Sequence, residues 1–464
     1  MPDVIDMGGL NTALLIGIGG LDAAQGALDA TSNNIANVNT PGYTREEAQL
    51  SELPETDSDN EISGGGVSLD GLQSIRDELL NMQINQQTSA QSAADTESSS
   101  LQQVQTYFTS TGTDVASALA AFSSSLVELS GNSNNSAAQQ GVLSAGQNLA
   151  SAFNSTASGL TSAQTAANAQ VPDVVSQINS LAQQIAQLNS QLAQVPAAED
   201  GGTTQDQLDQ AVQQLAGLTN ISVTQTNNGE TITTGSGTAL VIGSQSFNLQ
   251  SATGPGGQEE VLDSNGKNIT STITGGTLGG SLNIANQVIP SFLTQLNTLA
   301  SQFATEFNSA QAAGTDSNGN AGAAFFTGTS NLGNAAANIG VGLTSPSQLA
   351  IGSDGSGGGN GNVANLSAAL TSALPSGQSA ANAYASIVFN VGTAASNAST
   401  QSTAIGDNLT QLTNQQGAVS AVNIDEETAN LMRYQTAYEA ASRVVSTVQV
   451  LDNAALNMGS STSF

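Results

Sequence analysis

An uninterrupted heptad pattern in the middle of the chain constrains its fold more than any other feature. Its apolar residues alternate at spacings of three and four, with Gln, Asn and Ser at most of the other positions. The pattern consists of Val171, Val174, Ile178, Leu181, Ile185, Leu188, Leu192 and Val195. This spacing places the apolar side chains on one face of a long helix. We therefore predict a coiled-coil-like helix, within residues 137–195, as part of a helical bundle.

Helical patterns recur on both sides of this segment. They cover residues 71–130, 204–217, 281–313 and 363–421. Residues 314–362 are rich in loop-forming residues, and six of the ten residues 352–361 are Gly, which predicts a flexible surface loop. The bundle is therefore expected to draw its helices from both halves of the chain.

The apolar spacing changes to two between residues 218 and 280. Ile221-Ser222-Val223-Thr224 alternates, Ile269 to Ile273 continues the strand character, and Asn228-Gly229 is typical of a two-residue hairpin turn. We predict a small β-rich insert with a self-contained pattern.

These patterns predict an elongated α+β protein, a mainly helical bundle built from both chain ends with a β-rich insert. We expect three domains, two of them discontinuous. Residues 1–44 and 422–464 supply the paired terminal helices of an inner assembly domain. Residues 45–217 and 281–421 form a helical-bundle middle domain that contains the loop-rich segment 314–362. Residues 218–280 form an insert that projects outward.

The first terminal helix is predicted over residues 10–38. The positions expected to face inward are Leu14, Ile18, Leu21, Gln25, Leu28, Ser32 and Ile35. Two of these seven are polar, so the helix needs partners to be stable. The helix is expected to end at Asn37 and Asn39, because Pro41-Gly42 cannot continue it and favours a tight turn before Tyr43.

The last helix is predicted to begin at Asn423. Glu426 stands three residues later in a capping-box pattern, and the acidic side chains of its first turn suit the helix dipole. Its apolar stripe consists of Leu431, Tyr434, Tyr438, Ala441, Val445, Val448 and Ala455, with a break near Asp452.

We interpret the two ends as arms that pack on each other and on neighbouring copies, since neither forms a core alone. The candidate assembly residues are Leu14, Ile18, Leu21, Leu28, Ile35, Asn37, Pro41, Gly42, Tyr43, Leu431, Tyr434, Tyr438, Ala441, Val445 and Val448.

Composition excludes several functions. The chain has no Cys and no His, which removes disulfides, thiol catalysis, Ser-His-Asp triads and the usual zinc sites. A net charge of −31 repels nucleic acid and anionic membranes. The most apolar stretch, Ala13 to Leu21, is too short to span a bilayer. We therefore expect no enzyme activity, cofactor, metal, nucleic-acid binding or membrane insertion.

Two local motifs have ordinary structural interpretations. Asp316-Ser317-Asn318-Gly319-Asn320 is similar to the start of a calcium loop, but the closing position holds Thr327, so we predict a turn. The glycines at 355–361 follow no strand and precede no Lys, which argues against a phosphate-binding loop.

The two chain ends resemble a known family. The run SNNIANVNTPGYTRE, with GIGGLDAAQGALDATS before it, resembles the N-terminal signature of flagellar rod, hook and hook-associated proteins. The run AVNIDEETANLMRYQTAYEAASRVVSTVQVLDNAALNM resembles the matching C-terminal helix. The resemblance is strong over residues 10–50 and 418–458, moderate over 170–315 and absent elsewhere. In the middle, Asp209-Gln210 stands where this family usually carries an Arg-Asp pair.

The Gly42–Arg45 run is more similar to hook-associated members than to hook proteins, which carry a Gly-Phe-Lys type of sequence there. The resemblance implies a structural, tubular helical assembly at the hook–filament junction of the bacterial flagellum. The implied partners are further copies of the chain, the hook protein, the next hook-associated protein on the filament side and a cytosolic export chaperone on the C-terminal helix.

The implied location is extracellular, reached through the flagellar type III channel. Residues 1–12 contain Asp3 and Asp6 and no Lys or Arg, so we expect no cleaved signal peptide. Two alternatives stay open: another flagellar axial protein such as the hook protein, or a surface adhesin whose β-rich insert binds a ligand. Assembly with hook protein distinguishes an axial protein from an adhesin.

Overall fold

The computed structural model describes residues 7–54, 56–58, 61–109, 112–195, 202–226, 229–353 and 359–460. The helices are α1 (Met7–Asn37), α2 (Glu78–Phe108), α3 (Val115–Gly131), α4 (Ser136–Leu192), α5 (Thr203–Leu218), α6 (Gly276–Asn283), α7 (Ile289–Ala312), α8 (Ala335–Asn338), α9 (Val363–Thr371), α10 (Ala380–Ser420) and α11 (Ile424–Ser460). The strands are β1 (Glu46–Glu52), β2 (Thr56–Ser58), β3 (Glu61–Ser63), β4 (Val67–Ser74), β5 (Ile221–Thr226), β6 (Gly229–Thr234), β7 (Ala239–Ile242), β8 (Gln245–Ser246), β9 (Gln250–Thr253), β10 (Glu259–Leu262), β11 (Phe326–Thr327) and β12 (Gly340–Val341). The predicted elongated α+β architecture is confirmed.

Helix α4 connects the two cores of the molecule. Its 57 residues extend for about 85 Å. The half before Pro172 packs with α2, α3, α7, α9 and α10 around the larger core, which we call the bundle core. The half after Pro172 carries the heptad, whose side chains pack on α5 and on the strands of the insert in a second core. The heptad therefore predicts the long helix correctly.

Phenylalanine side chains fill the centre of the bundle core. Phe122 of α3 lies with its ring centroid 5.1 Å from that of Phe307 and 5.6 Å from that of Phe325. The Phe325 and Phe326 rings, from the loop-rich segment after α7, are 4.8 Å apart. This segment is therefore anchored on the bundle by aromatic packing.

The segment 71–130, predicted to be helical, contains two helices, α2 and α3. Strand β4 occupies its first residues, and a loop separates α2 from α3. Both helices begin at an aspartate that accepts a hydrogen bond from a backbone N–H three residues later, Asp77 for α2 and Asp114 for α3. A capping carboxylate at each start outweighs the helical spacing around it. Two other predicted helical segments are interrupted: a π-helical turn at Ile284–Val288 lies within residues 281–313, and a loop separates α9 from α10 within residues 363–421.

The insert consists of an antiparallel sheet in the order β5-β6-β7-β8 and a β9–β10 hairpin. Asn228 of the predicted hairpin turn lies outside the described residues. Ile269 to Ile273 contains a 3₁₀ turn at Thr270–Thr272 instead of the predicted strand.

The insert is not self-contained, so that expectation is wrong. Its buried residues Val241 and Val261 belong to the same core as Ile178 of α4 and Leu208 of α5. Asn189 of α4 donates hydrogen bonds to the carbonyl oxygens of Glu230 and Gly243 at 2.8 and 2.9 Å. Short strands with few large side chains need the apolar face of α4 to complete their core.

Candidate assembly site at the paired terminal helices

The terminal helices α1 and α11 pack against each other in antiparallel orientation. A Cβ atom added at Gly17 would lie 2.9 Å from Val445 Cγ2, and one added at Gly20 would lie 3.6 Å from the Cβ of Ala441. The first distance is shorter than an ordinary van der Waals contact. The two glycines therefore let the backbones of the arms approach closely.

The buried face of α1 differs from the predicted one. It consists of Gly17, Ala23, Ala24, Ala27, Ala30, Thr31 and Asn34. Of the positions predicted to face inward, Leu14, Leu21, Leu28 and Ile35 are half-buried, Gln25 and Ser32 are exposed, and Ile18 is 48% exposed. Small residues form the packed face because they permit close helix contact, and the large apolar residues are left along its flank and outer side.

A two-stranded ribbon holds another side of α1. Strands β1 and β4 pair antiparallel, with Leu50 opposite Leu69. A Cβ atom at Gly19 would lie 2.6 Å from the carbonyl oxygen of Val67 in β4, and Gly26 is similarly close to the side chain of Leu69. The N-terminal arm is therefore packed between α11 and this ribbon.

The predicted stripe of α11 lies toward α1 for most of its length. Val448 is buried, Tyr438 is exposed, and the other five residues are half-buried, namely Leu431, Tyr434, Ala441, Val445 and Ala455. This face of α11 is thus only partly covered by α1. The helix begins at Ile424, directly after the predicted cap, and the Asn423 side chain accepts a hydrogen bond of 3.0 Å from the backbone N–H of Asp425. The Glu426 carboxylate, expected to complete a capping box, pairs with Arg45 instead.

Large apolar side chains remain exposed on both arms. They are Leu15, Ile18, Ile424, Met432, Tyr438, Val444, Val450, Leu451 and Leu456. Apolar patches of this kind on a protein surface mark sites that bind a partner. A single chain therefore leaves its terminal helices incompletely covered.

The signature after α1 forms a hydrogen-bonded turn. The backbone N–H of Tyr43 donates to the carbonyl of Thr40, and Gly42 between them has a φ of 78°, which a residue with a side chain rarely adopts. Asn37 accepts a hydrogen bond of 3.2 Å from the Thr40 hydroxyl. Pro41 and Gly42 are exposed. The sequence Asn-x-x-Thr-Pro-Gly-Tyr therefore reverses the chain direction directly after the helix.

Asn34 joins this turn to the following strand. Its amide donates to the carbonyl of Glu46 and its oxygen accepts from the Glu46 N–H, each at 2.9 Å. The Tyr43 hydroxyl donates to the same oxygen at 3.0 Å. Burial, together with the nearby Glu46 carboxylate, raises the pKa of Tyr43 well above its usual value, so the hydroxyl stays protonated and remains a donor.

A buried ion pair fastens the turn to the body of the molecule. Arg76 Nη2 lies 2.6 Å from Asp206 Oδ1, and their side chains are only 13% and 8% exposed. The other oxygen of Asp206 accepts from the Thr44 N–H at 3.1 Å. The sequence does not predict this ion pair, because Arg76 and Asp206 are about 130 residues apart and neither belongs to a recognisable motif.

Asp209 and Gln210, which stand where the family usually carries an Arg-Asp pair, lie beside this ion pair. Asp209 pairs with Arg76 Nε at 3.3 Å, and Gln210 donates a hydrogen bond of 2.6 Å to the carbonyl of Pro41. Arg45 adds a second link by pairing with Glu426 of α11 at 3.1 Å. The N-terminal signature is thus tied to α5 and to the start of the C-terminal arm.

Glu230 lines a cavity of about 770 Å³ beneath the turn. It is 8% exposed, and its Oε2 atom has no hydrogen-bond partner among the described atoms. Burial and the nearby Asp209 carboxylate raise the pKa of Glu230 from 4.5 to about 7. The folded state therefore holds this proton more tightly than the unfolded state does.

Replacing Glu230 with glutamine should stabilise the protein at high pH only. Because the folded pKa of Glu230 is raised, the contribution of this carboxyl to stability is greatest below about pH 4.5 and is lost as the pH rises through about 7. Glu230→Gln removes this loss, so we expect a gain of up to about 3 kcal/mol at pH 8 and none at pH 4. Denaturant unfolding of the parent and the variant at both pH values measures this difference in the free energy of unfolding. Glu128→Gln, at an exposed position, is the control, and equal stability of Glu230→Gln and the parent at pH 8 would contradict the prediction.

The described part of the chain contains no group of three or more acidic side chains arranged to hold a metal ion. Likewise, none of the helices in the described ranges is long and apolar enough to cross a membrane.

Three family models match the chain. They are the flagellar hook-associated protein FlgK helical domain over residues 101–326, the flagella basal body rod protein over residues 14–44, and the flagellar basal body rod FlgEFG protein C-terminal domain over residues 415–458. Together the three matches cover more than half of the chain. The two short ones coincide with the N-terminal signature and with the C-terminal arm.

Curated relatives match over nearly the full length. Flagellar hook-associated protein 1 of Escherichia coli is 26% identical over 95% of this chain and 98% of its own. Flagellar hook-associated protein 1 of Bacillus subtilis is 28% identical over 95% of this chain and 96% of its own. A solved structure, the flagellar hook junction protein FlgK from Burkholderia pseudomallei, has a similar fold. It matches with a TM-score of 0.67 and 19% identity, over 73% of this chain and all of that one.

Proposed function

Since the chain belongs to the flagellar hook-associated protein 1 family and is a structural component of the hook–filament junction, we propose that it builds this junction by helical self-assembly through α1 and α11. The observation that carries the proposal is the exposed apolar surface on both arms. Burying such surface between copies is worth about 25 cal/mol per Å². The large residues on the flank and outer side of α1 supply contacts to neighbours, and its small residues supply the contact within the chain.

We propose the same domain division and assembly residues that the sequence predicts. Residues 1–44 and 422–464 form the inner assembly domain, 45–217 and 281–421 the middle domain, and 218–280 the outer insert. Two observations support the border between the inner domain and the rest of the chain. The ribbon and α11 hold α1 apart from the bundle core, and the arms meet the body at the Arg76–Asp206 pair.

The chain is associated with other flagellar axial components. Our finer proposal is that hook protein contacts it on one side and the next hook-associated protein on the filament side. A cytosolic export chaperone is proposed to cover α11 before export, because this helix exposes apolar side chains such as Met432 and Val450. Export to the extracellular flagellum without a cleaved signal peptide completes the proposal.

A strain that lacks the protein should make hooks without filaments and release filament protein into the medium. The reason is that, without this protein, no surface joins the end of the hook to the filament subunits. Electron microscopy of isolated hooks, with immunoblots of the medium, measures both effects. Complementation with the full chain should restore filaments, and a chain without residues 424–464 should not.

The other outcomes separate the alternatives. Normal filaments in the deletion strain would reject the junction function and favour a surface adhesin. Loss of the hooks themselves would instead indicate a hook-protein role. Antibody labelling of isolated wild-type hooks adds a direct readout, since the protein should be found at the distal end only.

A further inference from the structure

The outer face of α1 combines apolar and acidic side chains. Leu15, Ile18, Asp22 and Asp29 are all exposed and share one face, since they are spaced by three, four and seven residues. This face lies opposite the one that carries Gly17 and Gly20 against α11. Neither aspartate forms an ion pair with any described residue. The N-terminal arm therefore presents a negative, partly apolar stripe.

The outer face of α11 has the opposite charge at its centre. Arg443 is exposed and lies seven residues before Val450, which is 68% exposed. Both lie opposite the face that carries Ala441 and Val445 against α1. Glu439 is one turn away, but the structure shows no ion pair between it and Arg443.

Arg443 stands apart from the other basic residues of the chain. Arg45 and Arg76 are paired with carboxylates of the same chain. Arg433 donates a 2.7 Å hydrogen bond to the hydroxyl of Tyr434, with its guanidinium carbon 4.7 Å from the centroid of that ring. Lys267 lies in the insert. Arg443 is therefore the arginine that has no partner within the described ranges.

The two faces match in spacing. Leu15 to Asp22 is seven residues on α1, and Val450 to Arg443 is seven residues on α11, so both steps are about 10 Å long. Within one chain, α1 and α11 run antiparallel. If neighbouring copies have the same orientation along the assembly axis, α1 of one copy also runs antiparallel to α11 of the next. An antiparallel contact that pairs Leu15 with Val450 therefore also pairs Asp22 with Arg443.

We propose that α1 of one copy binds α11 of the neighbouring copy through an Asp22–Arg443 ion pair beside a Leu15–Val450 apolar contact. The inference rests on the proposed self-assembly and deepens it by naming the contact. Copies with a net charge of −31 repel each other. A lone cation at the contact, facing a carboxylate, offsets part of this repulsion and sets the register of the two helices.

Disulfide trapping tests the register, and the absence of native Cys makes the experiment specific. Leu15→Cys combined with Val450→Cys should give a ladder of oligomers when isolated hook–filament structures are oxidised. A disulfide needs Cβ atoms about 4 Å apart, and both positions face away from the partner arm of their own chain. The control pair, Asp29→Cys with Val450→Cys, lies on the same faces but about four turns, roughly 21 Å, out of register and should stay monomeric.

Charge reversal tests the ion pair. Asp22→Arg and Arg443→Asp should each lower the amount of protein retained on isolated hooks about tenfold, because each places like charges opposite each other. The double variant should recover to within about twofold of the parent. Asp29→Arg with Arg443→Asp is the control and should not recover. Equal amounts of each variant in the culture medium show that export is intact.

Three results would overturn the inference. They are a monomeric Leu15–Val450 variant, a double charge reversal without recovery, and recovery with Asp29 in place of Asp22. Each can occur while the parent chain is still found at the hook tip, in which case the proposed function stands and only this contact is wrong. Absence of the parent chain from the hook tip would reject the proposed function as well.

Discussion

Replacing Phe122 with alanine should lower the free energy of unfolding of the helical bundle by about 3–5 kcal/mol. Phe122 is fully buried, and its ring contacts those of Phe303, Phe307, Phe325 and Phe326 at centroid distances between 5.1 and 6.4 Å. Truncation leaves a cavity among side chains from three separate parts of the chain, which cannot all move to fill it. Denaturant unfolding followed by circular dichroism measures the loss.

Val127→Ala is the matched control for this substitution. Val127 lies on the same helix as Phe122 but is 65% exposed, so its truncation should change stability by less than about 0.5 kcal/mol. A loss below about 1 kcal/mol for Phe122→Ala would contradict the assignment of this cluster as the centre of the bundle core.

Periodic features of the sequence predict the long helices well. The heptad from Val171 to Val195 predicts the second half of α4, and Asn423 with its acidic neighbours predicts the start of α11 within one residue. These signals are local, because the residues that determine them lie within one or two helical turns. Interruptions such as Asp114 were missed, since a single capping side chain leaves the apolar spacing nearly unchanged.

The packed face of α1 was not predictable from apolar spacing. A seam of large residues is the usual indication of a buried face, yet Gly17, Ala23 and Ala27 form it here. Gly and Ala do not indicate a buried face in the sequence, because they are small and only weakly hydrophobic. Their role is to let α11 and β4 pack closely against α1, which only the folded structure shows. The large residues Leu14 and Ile18 lie elsewhere on the same helix, so the apolar spacing identified the wrong face of α1 as the one packed within the chain.

The contacts that hold the terminal helices on the rest of the protein could not be predicted from the sequence either. Arg76 and Asp206 each look like ordinary surface charges in the sequence, and only the fold brings them to 2.6 Å. The shared core of the insert is a similar case, since Val241 and Ile178 are far apart in sequence. Contacts of this kind depend on the tertiary arrangement, which no local pattern specifies.

Replacing Asp206 with alanine should destabilise the protein by about 3 kcal/mol or more, because it leaves the Arg76 guanidinium buried with only part of its partners. Asp209 and the carbonyl of Gly202 remain near Arg76, which places the effect at the lower end of the range for broken buried pairs. The same change removes the acceptor of the Thr44 N–H, so the arm should lose its attachment to α5. Denaturant unfolding measures the stability, and proteolysis near residue 44 measures release of the arm.

The control variants for Asp206 distinguish three effects: the loss of a carboxylate, the burial of an unpaired Arg76 and the loss of the acceptor for the Thr44 N–H. Asp173→Ala removes an exposed carboxylate of α4 and should have little effect. The double substitution Arg76→Met with Asp206→Leu removes both charges of the Arg76–Asp206 pair, and Asp209, which loses its contact with Arg76, is 29% exposed and so stays hydrated. The double variant should therefore recover most of the stability lost in Asp206→Ala while leaving the Thr44 N–H without its acceptor. We therefore expect stability to recover and cleavage near residue 44 to stay high. If cleavage falls together with recovered stability, the arm is held by the apolar packing of α1 against α11 and the ribbon, and the Asp206–Thr44 hydrogen bond is not its attachment.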